Sequence, residues 1–465
     1  MIVMKFGGTS VGSVAMLERC CQIIADAPPE RVVVISAMRG ITDGILDVLQ
    51  AARADEGAIA PFLASARKRH LDVAREMGLN ETQLTALSHD IETVLQRLER
   101  LLYGIAYTEE VTGRTKDMAV SFGERLSVRL LAALLCARGV QAEAVDADEA
   151  GMLTDGVFGN ATPIMPAISR NLALSLGGRV DKGITPIMTG FFGSDSAGRV
   201  TTFGRGGSDY AASIIAAALK AERLEVWKDV NGFLTADPRI LEDAHAIDHM
   251  TYDEAAELAG IGAQVLHPRT VEPLKDIHIP ILVKNTGEPN VAGTLISDDA
   301  PVSRRALRSI ASKSHLAILK LYGPGMGYTP GIGERVFDRL GKAGVNVYNM
   351  AASQASFALL IHEDDLQTGL KALEGMHEGI VQSVEGLTDM TLVCVVGAGI
   401  GMTHGTAGKI FAAVGQADVN VEMISVGASD IALNFVVKRA DRDACIRAVH
   451  DAFLSSFGNL SETTP

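Results

Sequence analysis

Short runs of unbroken apolar residues alternate along this chain with longer stretches in which apolar residues return every three or four positions. Met1–Phe6 and Arg31–Ser36 (RVVVIS) are runs of the first kind and read as buried strands. Between them lie a Gly-Gly turn and a helical pattern near Val14–Asp26, so the chain opens as a parallel α/β unit. Ala37–Asp43 reads as a loop at the end of the second strand. From about Ile45 to Leu102 the pattern is helical, with Leu84, Leu87, Ile91, Val94, Leu95, Leu98 and Leu101 on one face. Residues 45–115 or so therefore read as a helical insertion. Ser121–Cys136 reads as a further helix opened by a glycine. Pro186–Phe192 and Ile279–Val283 read as buried strands, with a polar turn at Gly193–Gly198. From Asp298 to Arg308 the chain turns polar and charged, and a boundary is placed there.

Beyond that boundary the chain repeats itself. Gly323–Met350 aligns without gaps on Gly397–Ile424, at an offset of 74 (397 − 323). Gly323, Gly325, Gly327, Thr329, Gly331, Phe337, Gly341, Ala343, Val345, Asn346 and Val347 all recur. Each copy reads as strand, glycine-rich loop, amphipathic helix and strand. Two copies are too few for a solenoid and suggest paired ligand sites or a self-pairing module.

Composition narrows the classes. A chain of 465 residues needs more than one core. With 47% apolar residues, 47 Gly and 5% aromatics it fits an α/β protein rich in tight turns. A net charge of −14 argues against a nucleic-acid or anionic-membrane surface. The five cysteines show no metal-binding spacing, and no Cys/His cluster appears, so no protein-held metal is expected. An odd cysteine count, a short polar-interrupted N-terminus and no apolar run long enough to span a bilayer point to a cytoplasmic setting.

Candidate chemistry sits in two glycine-rich loops. Lys5-Phe6-Gly7-Gly8-Thr9-Ser10 follows a strand and precedes a helix, where backbone N–H groups and the helix terminus favour phosphate. It is not a Walker A loop, and alone it reads equally as an ordinary βα turn. Gly204-Arg205-Gly206-Gly207-Ser208-Asp209 is richer. Arg205 can take a carboxylate in bidentate fashion, Ser208 can cap the following helix, and Asp209 can hold Lys5 or a substrate ammonium. Ser36–Thr42 lies at a strand's C-terminal end, where α/β proteins bind ligands. Glu124 reads as starting a helix, either as a ligand for an amine or simply as a favourable charge near the helix N-terminus. Trp227-Lys228-Asp229-Val230-Asn231-Gly232 and Thr235–Arg239 suit nucleotide contacts or a polar loop. The Gly397-Ala398-Gly399 run only partly matches a dinucleotide fingerprint, because Met402 stands where its third glycine belongs.

Taken together, KFGGTS at 5–10, VVVISAMRGITD at 32–43, SFGERLS at 121–127, TTFGRGGSDYAA at 201–212, DVNGFLTADPR at 229–239, GAQVLHPRT at 262–270 and the two C-terminal repeats resemble aspartate kinases of the amino-acid kinase superfamily, monofunctional type. The resemblance implies a three-layer α/β sandwich with a mainly parallel sheet over residues 1–300. Two α+β ACT domains would follow, at 313–386 and at 305–312 with 387–465. It implies phosphorylation of the β-carboxylate of L-aspartate by ATP with Mg2+, on the route to lysine, threonine, methionine and isoleucine. Lys5, Arg205 and Asp209 would be catalytic. Thr42, Glu124, Arg205, Gly206, Gly207 and Ser208 would hold aspartate. Lys5, Phe6, Gly7, Gly8, Lys228, Asp229, Leu234, Arg239, Gln264 and Val265 would hold the nucleotide. Lys228 stands where many relatives have Thr, Leu234 where Tyr is frequent, and Gln264 where Lys is common. Met326, Thr329, Gly331, Ile332, Tyr348 and Glu422 would take an amino-acid effector, lysine or threonine. Pairing through the ACT domains would make a homodimer or a dimer of dimers. Glutamate, acetylglutamate and UMP are the alternative substrates of such a fold; Glu124 beside Arg205 argues for a free amino acid, the tandem repeats argue against UMP, and Lys5, Arg205 and Asp209 together argue against a silent sensor.

Overall fold

Phe6 and Trp227 pair on neighbouring strands and point to one face of a sheet while Lys5, next to Phe6 in the chain, points to the other, and that alternation organises the first half of the molecule. The computed structural model describes residues 1–261, 265–298, 307–376 and 381–454. They form two compact units. The first comprises Met1–Phe233, Asp248–Ala256 and Val265–Ala300, and the second Leu234–Ile247, Glu257–Gln264 and Pro301–Pro465.

The first unit is built on β1 (Ile2–Phe6), β2 (Arg31–Ile35), β3 (Ala142–Val145), β4 (Thr185–Thr189), β7 (Arg223–Lys228), β8 (His249–Met250), β9 (Ile281–Asn285) and β10 (Thr294–Ile296). Their order across the sheet is β3-β4-β2-β1-β7-β9-β10-β8. Every pairing is parallel except β9 with β10. The hairpin β5 (Phe192–Ser194) with β6 (Val200–Thr202) stands apart. Ile2, Met4, Phe6, Val33 and Ile35 bury one face of the sheet under the helices between Val14 and Ala137. The helix Gly207–Ala218 packs on the other face, against β1, β2 and β7. This is a three-layer sandwich with both faces covered, which explains the near-continuous apolar strands.

Several local expectations change. The segment read as a loop at Ala37–Asp43 already turns helical at Ile41. The helix expected from Ser121 begins at Gly113 and runs to Ala137, so Glu124 lies well inside it and not at its N-terminus. The apolar face of this helix is buried in one core with the helices before it, so its start carries no polar break at Ser121. The run Pro186–Phe192 is broken by Phe191 at φ 65°, which sends the chain into the hairpin. Strand pairing does not stop at Val283 but runs to Asn285 and continues in β10.

The second unit holds β11 (Ser309–Tyr322), β12 (Val347–Ala352), β13 (Ser356–His362), β14 (Ser383–Val396), β15 (Val421–Ser425) and β16 (Ala432–Lys438), in the antiparallel order β12-β13-β11-β14-β16-β15. The 74-residue offset holds in three dimensions. Helices Ile332–Lys342 and Thr406–Gln416 correspond, as do the starts of β12 and β15. Each helix starts from a glycine at positive φ, Gly331 at 81° and Gly405 at 80°. β11 and β14 each run through both halves: the second part of β11 pairs with β13, while its first part pairs with the part of β14 that β16 also borders.

Leu234–Ile247, inside the span expected as one catalytic domain, packs with this second unit. Ala236, Ile240 and Leu241 share a core with Ile310, Val393, Leu433 and Val449. Ser309 Oγ donates to the Leu234 carbonyl (2.7 Å), and Ile310 N donates to the Thr235 carbonyl (2.9 Å).

Candidate active site

The register of β1 against β7 decides which side chains meet. Phe6 pairs with Trp227, and the two rings stack 6.0 Å apart within the core. Lys5 pairs with Val226, so Lys5 and Lys228 emerge on the opposite face, toward the helix Gly207–Ala218. Asp209 sits in the first turn of that helix. Its Oδ1 pairs with Lys5 and its Oδ2 accepts from Lys228 Nζ at 2.7 Å.

Burial by itself would raise the Asp209 pKa, but the two ammoniums hold it far below the ordinary carboxylate range. Burial lowers the pKa of Lys5, and Asp209 opposes that shift. The result is a dry, charged cluster at the C-terminal ends of two central strands, where open α/β sheets place their ligands.

A second cluster forms at the residue next to Asp209 in the chain. The Ser208 hydroxyl donates to Glu124 Oε1, and Glu124 Oε2 lies buried without a hydrogen-bond partner. Desolvation pushes the Glu124 pKa up to about 8, although Ser208 and Lys5 pull it down. A carboxyl group like this is poised to receive an amine. Thr42 flanks it, with its hydroxyl against Gly123. Arg205 is exposed on the adjoining loop and has no ion-pair partner among the described residues. Ser208 is not the helix cap expected of it. The cap position belongs to Gly206, and the Ser208 hydroxyl is committed to Glu124.

Gly206 shows why the loop is glycine-rich. Its φ is 70°, and a Cβ there would lie 2.3 Å from His267 Cγ. His267 itself was missed as a site neighbour. Its His-Pro step was legible in the sequence, but nothing local said that it packs on the loop sixty residues earlier. Gly207 opens the helix and is buried against Phe191 and Phe203.

The nucleotide candidates divide between the two units. Lys5, Phe6, Gly7, Gly8, Lys228, Asp229 and Val265 belong to the first unit, whereas Leu234 and Arg239 belong to the second. The Phe6 ring is in the core, which leaves its backbone for a ligand. Asp229 is exposed and Leu234 half-buried. Arg239 is exposed and paired with Asp237 (2.7 Å). Gln264 lies outside the described residues.

In the second unit Met326 and Ile332 are buried, Thr329 Oγ1 donates to the Gly325 carbonyl (3.0 Å), and Gly331 caps the helix. Lys313 Nζ lies 3.9 Å from the Tyr348 ring centroid, and Glu422 accepts from Asn420 Nδ2 at 3.0 Å. No group of three or more acidic, His or Cys side chains suited to a metal occurs among the described residues, and no described helix is long and apolar enough to cross a membrane.

Comparison with known proteins identifies the family. Residues 1–285 match the amino acid kinase family, and residues 319–376 and 393–453 match the ACT domain. The chain is 35% identical over 472 residues to the chloroplastic aspartokinase 1 of Arabidopsis thaliana, covering 99% of this chain and 81% of that one. It is 32% identical to the lysine-sensitive aspartokinase 3 of Escherichia coli, covering 97% and 98%. The structure of E. coli aspartokinase III in complex with aspartate and ADP superimposes with a TM-score of 0.82 at 30% identity, over 97% of this chain and 99% of that one. The fold and the paired C-terminal repeats thus match one set of relatives, and this chain belongs to the amino acid kinase family, in its aspartokinase branch.

Proposed function

We propose that this protein is an aspartate kinase that transfers the γ-phosphoryl group of ATP to the β-carboxylate of L-aspartate, under feedback control by an end-product amino acid bound in its ACT domains. The observation that carries this reading is the pairing of two unlike clusters on one short helix. Asp209 with Lys5 serves the phosphoryl group, and Ser208 with buried Glu124 serves an amine.

Aspartate carries one amine and two carboxylates, and each finds a complement. Glu124 takes the ammonium, assisted by Thr42 and Ser208. Arg205, free on its loop, takes the α-carboxylate, with the backbone of Gly206 and Gly207 beneath it. The β-carboxylate is then left to face the nucleotide. It is already nucleophilic at neutral pH, so no general base is required. One of its oxygens forms a bond to the γ-phosphorus as the bond to the ADP oxygen breaks, and no proton moves. The protein's work is positioning and charge compensation. Lys5 offsets charge on the transferring group, and the helix N-terminus at Gly207 adds positive potential. Gly7 and Gly8 would line the phosphates, with Asp229, Leu234, Arg239, Gln264 and Val265 on the nucleotide side.

Mg2+ on the phosphates supplies further charge neutralisation. The described residues hold no dedicated metal cluster, so the ion would enter with the nucleotide, ligated by phosphate and water. The effector, lysine or threonine, would bind at Met326, Thr329, Gly331, Ile332, Tyr348 and Glu422. A homodimer or dimer of dimers through the ACT domains, in the cytoplasm, completes the proposal. A coupled assay for ADP release with aspartate and MgATP tests it. Turnover with aspartate, lost in Arg205→Ala and Lys5→Ala, is expected. Full activity in either variant would sink the role assigned to that residue.

A further inference from the structure

The sequence pattern groups Lys228 with the nucleotide loop that follows it. The structure puts its ammonium elsewhere, on the carboxylate that also holds Lys5. We propose that Lys228 is a second catalytic lysine, which contacts the transferring phosphoryl group opposite Lys5, with Asp209 fixing the separation of the two ammoniums. This rests on the phosphoryl-transfer reading above and deepens it.

Three observations carry the inference. First, strand parity puts Lys5 and Lys228 on the same face of adjacent parallel strands, each at a C-terminal end. Second, the two lysines flank the first glycine loop. A Cβ at Gly7 would lie 3.6 Å from Lys5 Nζ and 3.9 Å from Lys228 Cδ. Any phosphate resting on that backbone would come within reach of both. Third, the cluster is unbalanced. Asp209 is the one carboxylate paired with both lysines, while Glu124, the other carboxyl group that acts on Lys5, is bonded to Ser208 and kept largely protonated at neutral pH by its burial; one lysine's charge is thus left over where side-chain exposure is only 4% for Lys5 and 15% for Lys228. A structural ion pair needs one partner, and burying an extra charge is costly unless a ligand brings the missing anion.

The surplus suits the reaction. As the γ-phosphorus leaves ADP for the aspartate β-carboxylate, negative charge spreads over its three equatorial oxygens. Two ammoniums set apart by the fork of one carboxylate can meet two of these oxygens, and they need no reorganisation as the charge develops. Lys228 stays protonated throughout and exchanges no proton. Asp209 acts through the two lysines and is a positioning residue.

The test compares wild type with Lys228→Gln, Lys228→Met and Lys228→Arg. Steady-state kinetics give kcat and the aspartate KM, calorimetry gives the affinity for ADP alone and for ADP with aluminium fluoride, a mimic of the phosphoryl group in flight, and melting temperature reports the fold. Lys228→Gln is expected to lose kcat by roughly 100-fold or more, while aspartate KM and ADP affinity stay within about threefold. It should also lose the extra affinity that aluminium fluoride confers on wild type. Lys228→Arg should recover at least about a tenth of the lost rate. A Lys228→Gln protein with near-normal kcat overturns the proposal. So does one whose ADP affinity falls as far as its affinity for the mimic, since Lys228 would then be a ground-state nucleotide contact. Collapse of folding in both Lys228→Gln and Lys228→Met would also overturn it, because the lysine would then support the fold. Should wild type bind the mimic tightly yet turn over no aspartate, the substrate reading fails and the role of Lys228 still stands on the binding data.

Discussion

Glu124→Gln should stabilise the empty protein while disabling it, and the size of both effects follows from where the side chain sits. Glu124 is buried, one of its oxygens has no partner, and desolvation raises its pKa from 4.5 to about 8. The folded protein therefore keeps a proton that the unfolded chain gives up once pH passes 4.5. Stability that is fully present below that value is lost as pH rises, and the loss is complete above about pH 8. Each pH unit in this window is worth about 1.4 kcal/mol, so the loss is about 3 kcal/mol near neutrality and at most about 5 kcal/mol at the alkaline end. A neutral glutamine of the same shape carries no such penalty. Melting curves of the two proteins without ligands, taken from about pH 5 to about pH 9, should diverge steadily, with the variant ahead by several degrees at the alkaline end, at about 2 °C per kcal/mol. The same variant should raise the aspartate KM by roughly 30-fold or more, because a buried ammonium loses its counter-charge. A melting difference that does not change with pH would refute the reasoning, since Glu124 would then titrate as an ordinary exposed carboxyl group.

Two further substitutions probe the same site from its other sides. Gly206→Ala forces a left-handed residue to carry a Cβ into His267. It should raise the aspartate KM by about tenfold or more and lower the melting temperature, since the backbone strain alone costs on the order of 1–2 kcal/mol; an unchanged KM would mean the loop is not a substrate clamp. Asp209→Asn leaves Lys5 and Lys228 without their shared counter-charge. A kcat loss of about 100-fold or more is expected in the ADP-release assay, and activity close to wild type would mean that the fork does not position the lysines.

Much of this protein could be read from its residues in order. The β1 and β2 runs, the helix Val14–Asp26 and the two C-terminal copies were legible, because each depends on local periodicity or on residue-by-residue repetition. The two glycine loops were legible for the same reason: glycine placed beside Lys5, or beside Arg205 and Asp209, is a local signal. What failed was local ambiguity. Glu124 looked like a helix start because Gly123 precedes it, yet the helix had already begun at Gly113 and the glycine lies inside it. Ser208 looked like a cap, yet its hydroxyl had a partner on another helix.

The sequence by itself determined the main buried strands and amphipathic helices though not all their ends, that the C-terminal part is built twice, and that one lysine and one aspartate lie at two glycine turns. Tertiary structure decided which of these side chains meet. The β1–β7 register placed Lys228 beside Lys5 on Asp209, burial turned Glu124 from an ordinary surface charge into a desolvated carboxyl group with a raised pKa, and core packing drew Leu234–Ile247 into the second unit. The physical reason is that periodicity records only whether a residue faces a core, whereas charge pairing and desolvation depend on neighbours that lie tens or hundreds of residues away in the chain.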